Sequence, residues 1–146
     1  EEEVITRLSR VGFDNVLGYL DGSFEAWKNS GKETDEIRRI SAEEFAGEFS
    51  ENVKVVDVRK ESEYEAEHIN DAYSKPLAYI NDWVNSLDNS EHFYIHCAGG
   101  YRSMIAASIL QARGYRNFTE VDGGFNPIKK TEKFPLSNFV CQSKTL

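Results

Sequence analysis

Cysteine and histidine are scarce in this chain of 146 residues. Its two cysteines, Cys97 and Cys141, cannot form the disulfide framework that stabilises small secreted domains. Its three histidines, His68, His92 and His96, leave little scope for a site with several metal ligands. We therefore expect neither a metal nor another cofactor.

Basic residues and long apolar runs are also in short supply. Lys and Arg total 17 against 25 Asp and Glu, so the net charge is -8. Nucleic-acid binders usually carry a basic patch, so we expect no nucleic-acid partner. No apolar run approaches the roughly 18 residues of a membrane helix, and we expect no membrane partner.

The N-terminal sequence lacks the basic and apolar segments of a secretory signal. Because cysteine is also rare, we expect a cytoplasmic location. The chain begins with Glu1 rather than Met, and we interpret it as a fragment of a longer protein.

Short strands alternate with helices from about residue 37 onward. The apolar content of 40% is enough for a real core. We predict strands at 53–58, 72–77, 93–96 and 118–121. We predict helices after the capping-box sequence at 41–44 and at 61–67, 79–87 and 103–113. This alternation predicts an α/β fold with a parallel sheet and helices on both faces.

The first 34 residues form a separate segment. We predict a short helix at 4–10, a strand at 16–20 and a helix at 22–29. The polar stretch 30–36 then interrupts the pattern, and we place a domain boundary there.

This opening segment resembles a later part of the chain. Residues 12–24 align with residues 114–125 when one gap is allowed. The matched pairs are Gly12 with Gly114, Phe13 with Tyr115, Asn15 with Asn117, Asp21 with Asp122, Gly22 with Gly123 and Phe24 with Phe125. We interpret residues 1–34 as the end of one copy and residues 37–140 as a complete second copy.

One loop carries the residues most suited to chemistry, and it joins a predicted buried strand to a predicted buried helix. It consists of Cys97, Ala98, Gly99, Gly100, Tyr101, Arg102 and Ser103. Ligand sites of parallel sheets lie at the carboxyl ends of strands, where helix N-termini offer free N–H groups. Two adjacent glycines let the backbone turn those groups toward one point. The loop therefore predicts an anion pocket around a thiol.

Such a pocket is expected to ionise Cys97. A thiol with a pKa of ~8.5 is roughly 3% ionised at pH 7, whereas a pKa of ~6.5 gives roughly three quarters. A helix N-terminus and the nearby cation of Arg102 are able to supply that difference, which is about 2 kcal/mol. We predict that Cys97 is an activated nucleophile and that Arg102 contributes to its acidity.

The same loop resembles the Cys-x-x-Gly-x-Arg-Ser/Thr active loop of rhodanese-family sulfurtransferases. The likeness spans residues 37–126. Its other parts are the segments 55–59, 63–64, 68–72 and 122–125. The chain departs from the family pattern at Glu67, where glycine is usual, and after Gly123-Gly124, where a tryptophan usually follows.

The resemblance implies a rhodanese-like fold in which Cys97 is catalytic and takes a sulfane sulfur as a persulfide. The donor would be a small anion such as thiosulfate, or a persulfide, and a thiol or protein would accept the sulfur. The residues expected to bind the donor are Ala98, Gly99, Gly100, Tyr101, Arg102 and Ser103. Asp57 and Arg59 are expected to support the loop.

The resemblance also implies a longer polypeptide. Residues 1–34 resemble the C-terminal remnant of a preceding rhodanese-like module. The whole chain resembles the C-terminal region of proteins that join such modules to a metallo-β-lactamase fold. An upstream domain of the same polypeptide is therefore an expected partner.

Two alternatives stay open. One is a non-catalytic rhodanese-like binding or regulatory module that retains a thiol. The other is a cysteine phosphatase or arsenate reductase, whose loops have Cys-x5-Arg spacing. The spacing from Cys97 to Arg102 is one residue shorter and suits a single sulfur atom better than a tetrahedral oxyanion.

For several polar residues we predict structural roles. Asp57 and Arg59 are expected to pair with neighbours such as Glu63. The charges of 61–67 are expected to form a solvated face, and His68 to be structural. Cys141 is expected to pack or lie at the surface, with a role as a resolving thiol as the alternative.

Overall fold

The computed structural model describes residues 1–50 and 52–138. The chain divides into two compact units after Glu36. None of the helices in these ranges is long and apolar enough to cross a membrane.

The first unit contains two short helices, α1 (Glu2–Ser9) and α2 (Ser23–Asn29), close to where they were predicted. Neither helix has a buried residue. The strand predicted at 16–20 is wrong, because that segment has no regular structure. A strand needs a hydrogen-bonded neighbour, and no strand lies among residues 1–36.

The second unit is built on a five-stranded parallel sheet. Along the chain its strands are β1 (Arg39–Ile40), β2 (Lys54–Asp57), β4 (Tyr73–Ser74), β5 (Phe93–His96) and β6 (Phe118–Val121). Their order across the sheet is β1-β6-β5-β2-β4. The predicted α/β class with a parallel sheet is confirmed. A separate antiparallel pair, β3 (Glu67–Ile69) with β7 (Leu136–Asn138), was not predicted.

Helices cover both faces of this sheet. They are α3 (Ala42–Glu48), α4 (Glu61–Ala66), α5 (Ile80–Trp83), α6 (Tyr101–Ala112) and α7 (Phe125–Lys130). The helix predicted at 79–87 is divided, because two 3₁₀ turns, Leu77–Tyr79 and Val84–Ser86, flank α5. The Ser86 hydroxyl donates to the carbonyl of Trp83 (2.6 Å), a local bond that competes with regular helix.

Alternation along the strands creates two apolar cores. Val56 and Ile95 pack with Leu110 of α6 on one face. On the other face, Val55 and Tyr94 pack with side chains of α3 and α7, among them Phe45 and Ile128. Because the strands are parallel, the carboxyl ends of β2, β5 and β6 meet at one edge of the sheet, where the predicted loop begins.

Candidate active site

Cys97 directly follows β5 and begins the loop that leads into α6. It is 1% exposed, at the bottom of the loop. Its Sγ accepts a hydrogen bond from the backbone N–H of Gly100 (3.2 Å), and the Ser103 hydroxyl oxygen lies 3.5 Å from the same sulfur. Gly100 has a φ of +90°, a conformation that favours glycine and lets its N–H face the sulfur.

The loop makes the thiol more acidic. Burial on its own raises the pKa of Cys97, because a thiolate is poorly solvated there. Hydrogen bonds from the backbone N–H groups of Ser103, Gly99 and Gly100 lower that pKa. In sum, the pKa of Cys97 lies below its ordinary value.

The carbonyl groups of Cys97 and Ala98 are held on the outer side of the loop. The N–H of Phe125 donates to the Cys97 carbonyl (2.6 Å), and the N–H of Asn126 donates to the Ala98 carbonyl (3.1 Å). Gly124 permits this contact, because a Cβ at that position would overlap the Cys97 carbonyl group. The start of α7 thus fixes the loop carbonyls and leaves the N–H groups to face the sulfur.

Arg102 lies at the rim of the loop and forms a bidentate ion pair with Glu63 of α4. The two N–O distances are 2.6 and 2.9 Å. The hydrogen bond from Arg102 lowers the pKa of Glu63 to about 2. Asp57 and Arg59 were expected to pair with neighbours such as Glu63, which is wrong, because α4 turns this carboxylate toward Arg102. The expected solvated face holds at Glu61 and Glu65, which are exposed.

Asp57 and Arg59 pair with each other beneath the loop. Arg59 Nε lies 3.0 and 2.9 Å from the two Asp57 oxygens, and a terminal guanidinium nitrogen lies 2.6 Å from one of them. Arg59 also donates to the Glu67 carbonyl (2.7 Å) and lies over the ring of Phe125 (4.1 Å). This buried pair connects β2 with β3 and with the helix that holds the loop.

The remaining loop residues form the surface of the site. Ala98 is half-buried, Gly99 is exposed and Tyr101 is 79% exposed. A groove of about 240 Å³ adjoins Arg102. Apolar and cationic residues line it, including Val58, Pro76, Leu77, Arg59 and Lys60. The groove therefore adjoins the loop at Arg102.

The structure places the other residues named in the sequence analysis away from the sulfur, or does not describe them. His68 stacks on Tyr64 (3.8 Å between ring centroids), and its Nδ1 lies 2.7 Å from the Tyr64 carbonyl oxygen. Cys141 lies outside the described residues. Within residues 1–50 and 52–138, no group of three or more His, Cys, Asp and Glu side chains is arranged to hold a metal ion.

Glu120 is a site residue that sequence reasoning missed. It lies in β6, fully buried, with Oε1 2.6 Å from the Ser103 hydroxyl and Oε2 2.9 Å from Arg39 Nε. An acidic residue within an otherwise uncharged strand, Phe118–Val121, was the signal available in the sequence. Gly124 was noted only as part of a family pattern, and its contact with Cys97 was not foreseen.

Comparison with known proteins identifies this arrangement. The family model of the rhodanese-like domain matches residues 41–131. The chain belongs to the rhodanese-like domain family. The family resemblance carried by the Cys97–Ser103 loop is thereby confirmed, as is the rhodanese-like fold class.

Two bacterial relatives are about 30% identical to this rhodanese-like chain over about two thirds of its length. Thiosulfate sulfurtransferase GlpE of Pseudomonas entomophila (strain L48) is 31% identical over 96 residues, which are 66% of this chain and 88% of GlpE. "Putative sulfur carrier protein YrkF" of Bacillus subtilis (strain 168) is 30% identical over 99 residues, 66% of this chain. The chain spans about half of YrkF, 54% of its length.

A solved structure has the same architecture. The crystal structure of a rhodanese-like domain protein from Staphylococcus aureus superposes with a TM-score of 0.59 at 33% identity. The superposition covers 63% of this chain and 91% of that protein.

Proposed function

We propose that the chain is a sulfurtransferase in which Cys97 accepts a sulfane sulfur from thiosulfate or a persulfide and passes it to a thiophilic acceptor. The observation that carries this proposal is the hydrogen bond from Gly100 N–H to Cys97 Sγ, in a loop whose carbonyls are tied to α7. The similarity to GlpE, a thiosulfate sulfurtransferase, supports it.

The proposed reaction has two displacement steps. The Cys97 thiolate attacks the outer sulfur of thiosulfate, a sulfur–sulfur bond forms, and sulfite leaves with the electron pair of the broken bond. An acceptor thiolate then attacks the outer sulfur of the Cys97 persulfide. A persulfide of the acceptor forms, and Cys97 is released as a thiolate. No cofactor takes part.

The loop suits both steps because its N–H groups are preorganised. They stabilise negative charge on sulfur before attack and on the persulfide afterwards without reorganising. Arg102 lies next to the groove, and the ion pair with Glu63 holds its guanidinium in place at the proposed position of the anionic donor.

A sulfite-release assay tests the function. The chain is incubated with thiosulfate and an excess of thiol acceptor, and sulfite is measured over many turnovers. A control sample has Cys97 blocked beforehand with iodoacetamide. We expect sulfite release that the block abolishes. Release no faster than in the blocked sample would favour a non-catalytic binding module. Hydrolysis of an aryl phosphate or reduction of arsenate in its place would favour the phosphatase-like alternative.

Arg102→Ala is expected to weaken donor binding more than it changes the thiol. Loss of one charged contact of about 1.5–3 kcal/mol predicts a KM for thiosulfate roughly 10-fold to 100-fold higher. The pH midpoint of Cys97 alkylation should move little, because the loop N–H groups lower the pKa and Glu63 already pairs the guanidinium of Arg102. This revises the sequence-based expectation that Arg102 contributes to the acidity of Cys97.

Steady-state kinetics and alkylation of the same preparation check both parts of this prediction. Glu63→Gln is the matched control, since it frees the guanidinium and should not raise the KM. An unchanged KM in Arg102→Ala, or an alkylation midpoint raised by a full pH unit, would contradict the assignment.

We also propose that residues 1–34 are the C-terminal remnant of a second rhodanese-like module. Gly12 and Gly114, aligned in the repeat, have similar φ angles of +91° and +87°. Phe24 is 57% exposed, whereas its aligned partner Phe125 is 5% exposed. A module lacking its remainder would leave such apolar residues uncovered. Hydrogen exchange should therefore be fast in residues 1–36; slow exchange of α1 amides would contradict the proposal.

A further inference from the structure

Glu120 is a buried carboxylate directly behind the reactive loop. Its side chain is fully buried, and burying a charge is costly unless hydrogen bonds and opposite charge compensate for it. Arg39 Nε compensates one oxygen at 2.9 Å, and the Ser103 hydroxyl contacts the other at 2.6 Å. The carboxylate therefore reaches the sulfur through one intervening hydroxyl.

Ser103 has one hydroxyl proton and three acceptors within reach. The distances from its Oγ are 3.5 Å to Cys97 Sγ, 3.0 Å to the Gly100 carbonyl and 2.6 Å to Glu120 Oε1. Hydroxyl bonds to carboxylates are both the shortest and the strongest of these types, at about 2.5–2.7 Å. The proton accordingly points to Glu120, and Cys97 faces a lone pair of the hydroxyl oxygen.

This orientation affects the two states of the sulfur differently. A neutral thiol can donate its S–H to the Ser103 oxygen. A thiolate needs a hydrogen-bond donor, and the Ser103 hydroxyl cannot serve as one while its proton points to Glu120. The negative charge of Glu120 acts in the same direction. A less acidic thiol gives a more nucleophilic thiolate, since nucleophilicity falls as the thiol becomes more acidic.

We propose that Glu120 is a positioning residue that holds the Ser103 hydroxyl away from Cys97, which limits ionisation of the thiol and strengthens its thiolate as a nucleophile. The proposal deepens the sulfur-transfer function and rests on it for its biological meaning. Its chemistry concerns the thiol alone and can be measured without any sulfur donor.

The other charged and titratable groups around this pair are already neutralised or remain neutral. Arg39 from β1 pairs with both Glu120 and Asp122. His96 is fully buried, and burial lowers its pKa, so that it is neutral near pH 7. The ion pairs Asp57–Arg59 and Glu63–Arg102 complete this set.

The test is the pH dependence of Cys97 alkylation by iodoacetamide in Glu120→Gln. Arg39 is only a donor, so the Gln amide oxygen faces Arg39 and its NH₂ donates to Ser103. The Ser103 proton is then free to turn to the sulfur. We expect the pH midpoint to fall by about one unit. The limiting rate at high pH should fall about threefold, as a Brønsted coefficient of 0.4–0.5 requires.

Two further variants separate this role from a structural one. Glu65→Gln removes an exposed glutamate and should leave midpoint and limiting rate unchanged. In a Ser103→Ala background, Glu120→Gln should shift the midpoint by less than half as much, because the hydroxyl is gone. An equal shift in that background, or an unchanged or raised midpoint in Glu120→Gln, would overturn the proposal.

Ser103→Ala alone keeps the proposal testable if Glu120→Gln does not fold. If the hydroxyl proton points to Glu120, this variant changes the midpoint by well under one unit. A rise of a full unit would show that Ser103 donates to the thiolate and would refute the proposed orientation. Alkylation reports on the thiol directly, so a chain that transfers no sulfur still gives a result here.

Discussion

Replacing Cys97 by serine is expected to reduce sulfite release to the rate seen without enzyme. The sulfur is the atom that attacks the donor and then carries the transferred sulfur. A serine hydroxyl in the same loop stays protonated at pH 7 and cannot form a persulfide. No other cysteine among the described residues can substitute for it. The measurement is the sulfite-release rate with thiosulfate and a thiol acceptor.

Thermal unfolding of the same variant supplies the control. Serine is nearly the size of cysteine but more polar, so the buried site should lose about 1 kcal/mol and the unfolding midpoint should fall by roughly 2–8 °C. A Cys97→Ser protein that unfolds normally and still releases sulfite at the wild-type rate would show that another group carries the sulfur.

Asp57→Ala is expected to cause the largest loss of stability among single substitutions near the site. Arg59 is only 5% exposed and would remain buried without its carboxylate partner. Removing one partner of a buried ion pair costs about 3–5 kcal/mol, because the other charge is left uncompensated. Urea denaturation, which gives the free energy of unfolding, is the measurement.

The double variant Asp57→Ala with Arg59→Met removes the uncompensated charge of Arg59 and so separates its cost from the loss of packing. Methionine has a long apolar side chain, so it should keep the packing against Phe125 without the charge. We expect the double variant to regain most of the lost stability. If instead it is less stable than Asp57→Ala alone, the pair contributes more than mutual charge compensation.

Strands β2 and β5 were predictable because their residues strongly favour buried parallel strands. The β-branched residues around β2 and the aromatic and aliphatic residues of β5 match buried parallel strands, and both strands form where predicted. The helix at 103–113 is apolar on most faces and lies against the sheet. A segment that is apolar on most sides is stable only in the core, so its position was predictable.

Predictions failed where the outcome depends on partners distant in sequence. Residues 16–20 have strand-like composition but no neighbouring strand in their unit. Glu63 lies in an acidic segment for which the sequence predicts exposure to solvent. Only the packing of α4 places its carboxylate next to Arg102. Local sequence carries no information on which of several cations a carboxylate will meet.

The loop itself was the easier part of the site. Cys97, the two glycines and Ser103 lie within seven consecutive residues, so one turn of backbone brings their groups together. Glu120 lies in β6 and Gly124 immediately precedes α7, and their contacts with this loop required the three-dimensional structure.

Mass spectrometry of the intact chain after incubation with thiosulfate tests the central claim most directly. We expect one added sulfur atom per chain, located by fragmentation on Cys97 and removed by a thiol acceptor. A chain that takes up no sulfur at neutral pH, or takes it up at a residue other than Cys97, would contradict this account.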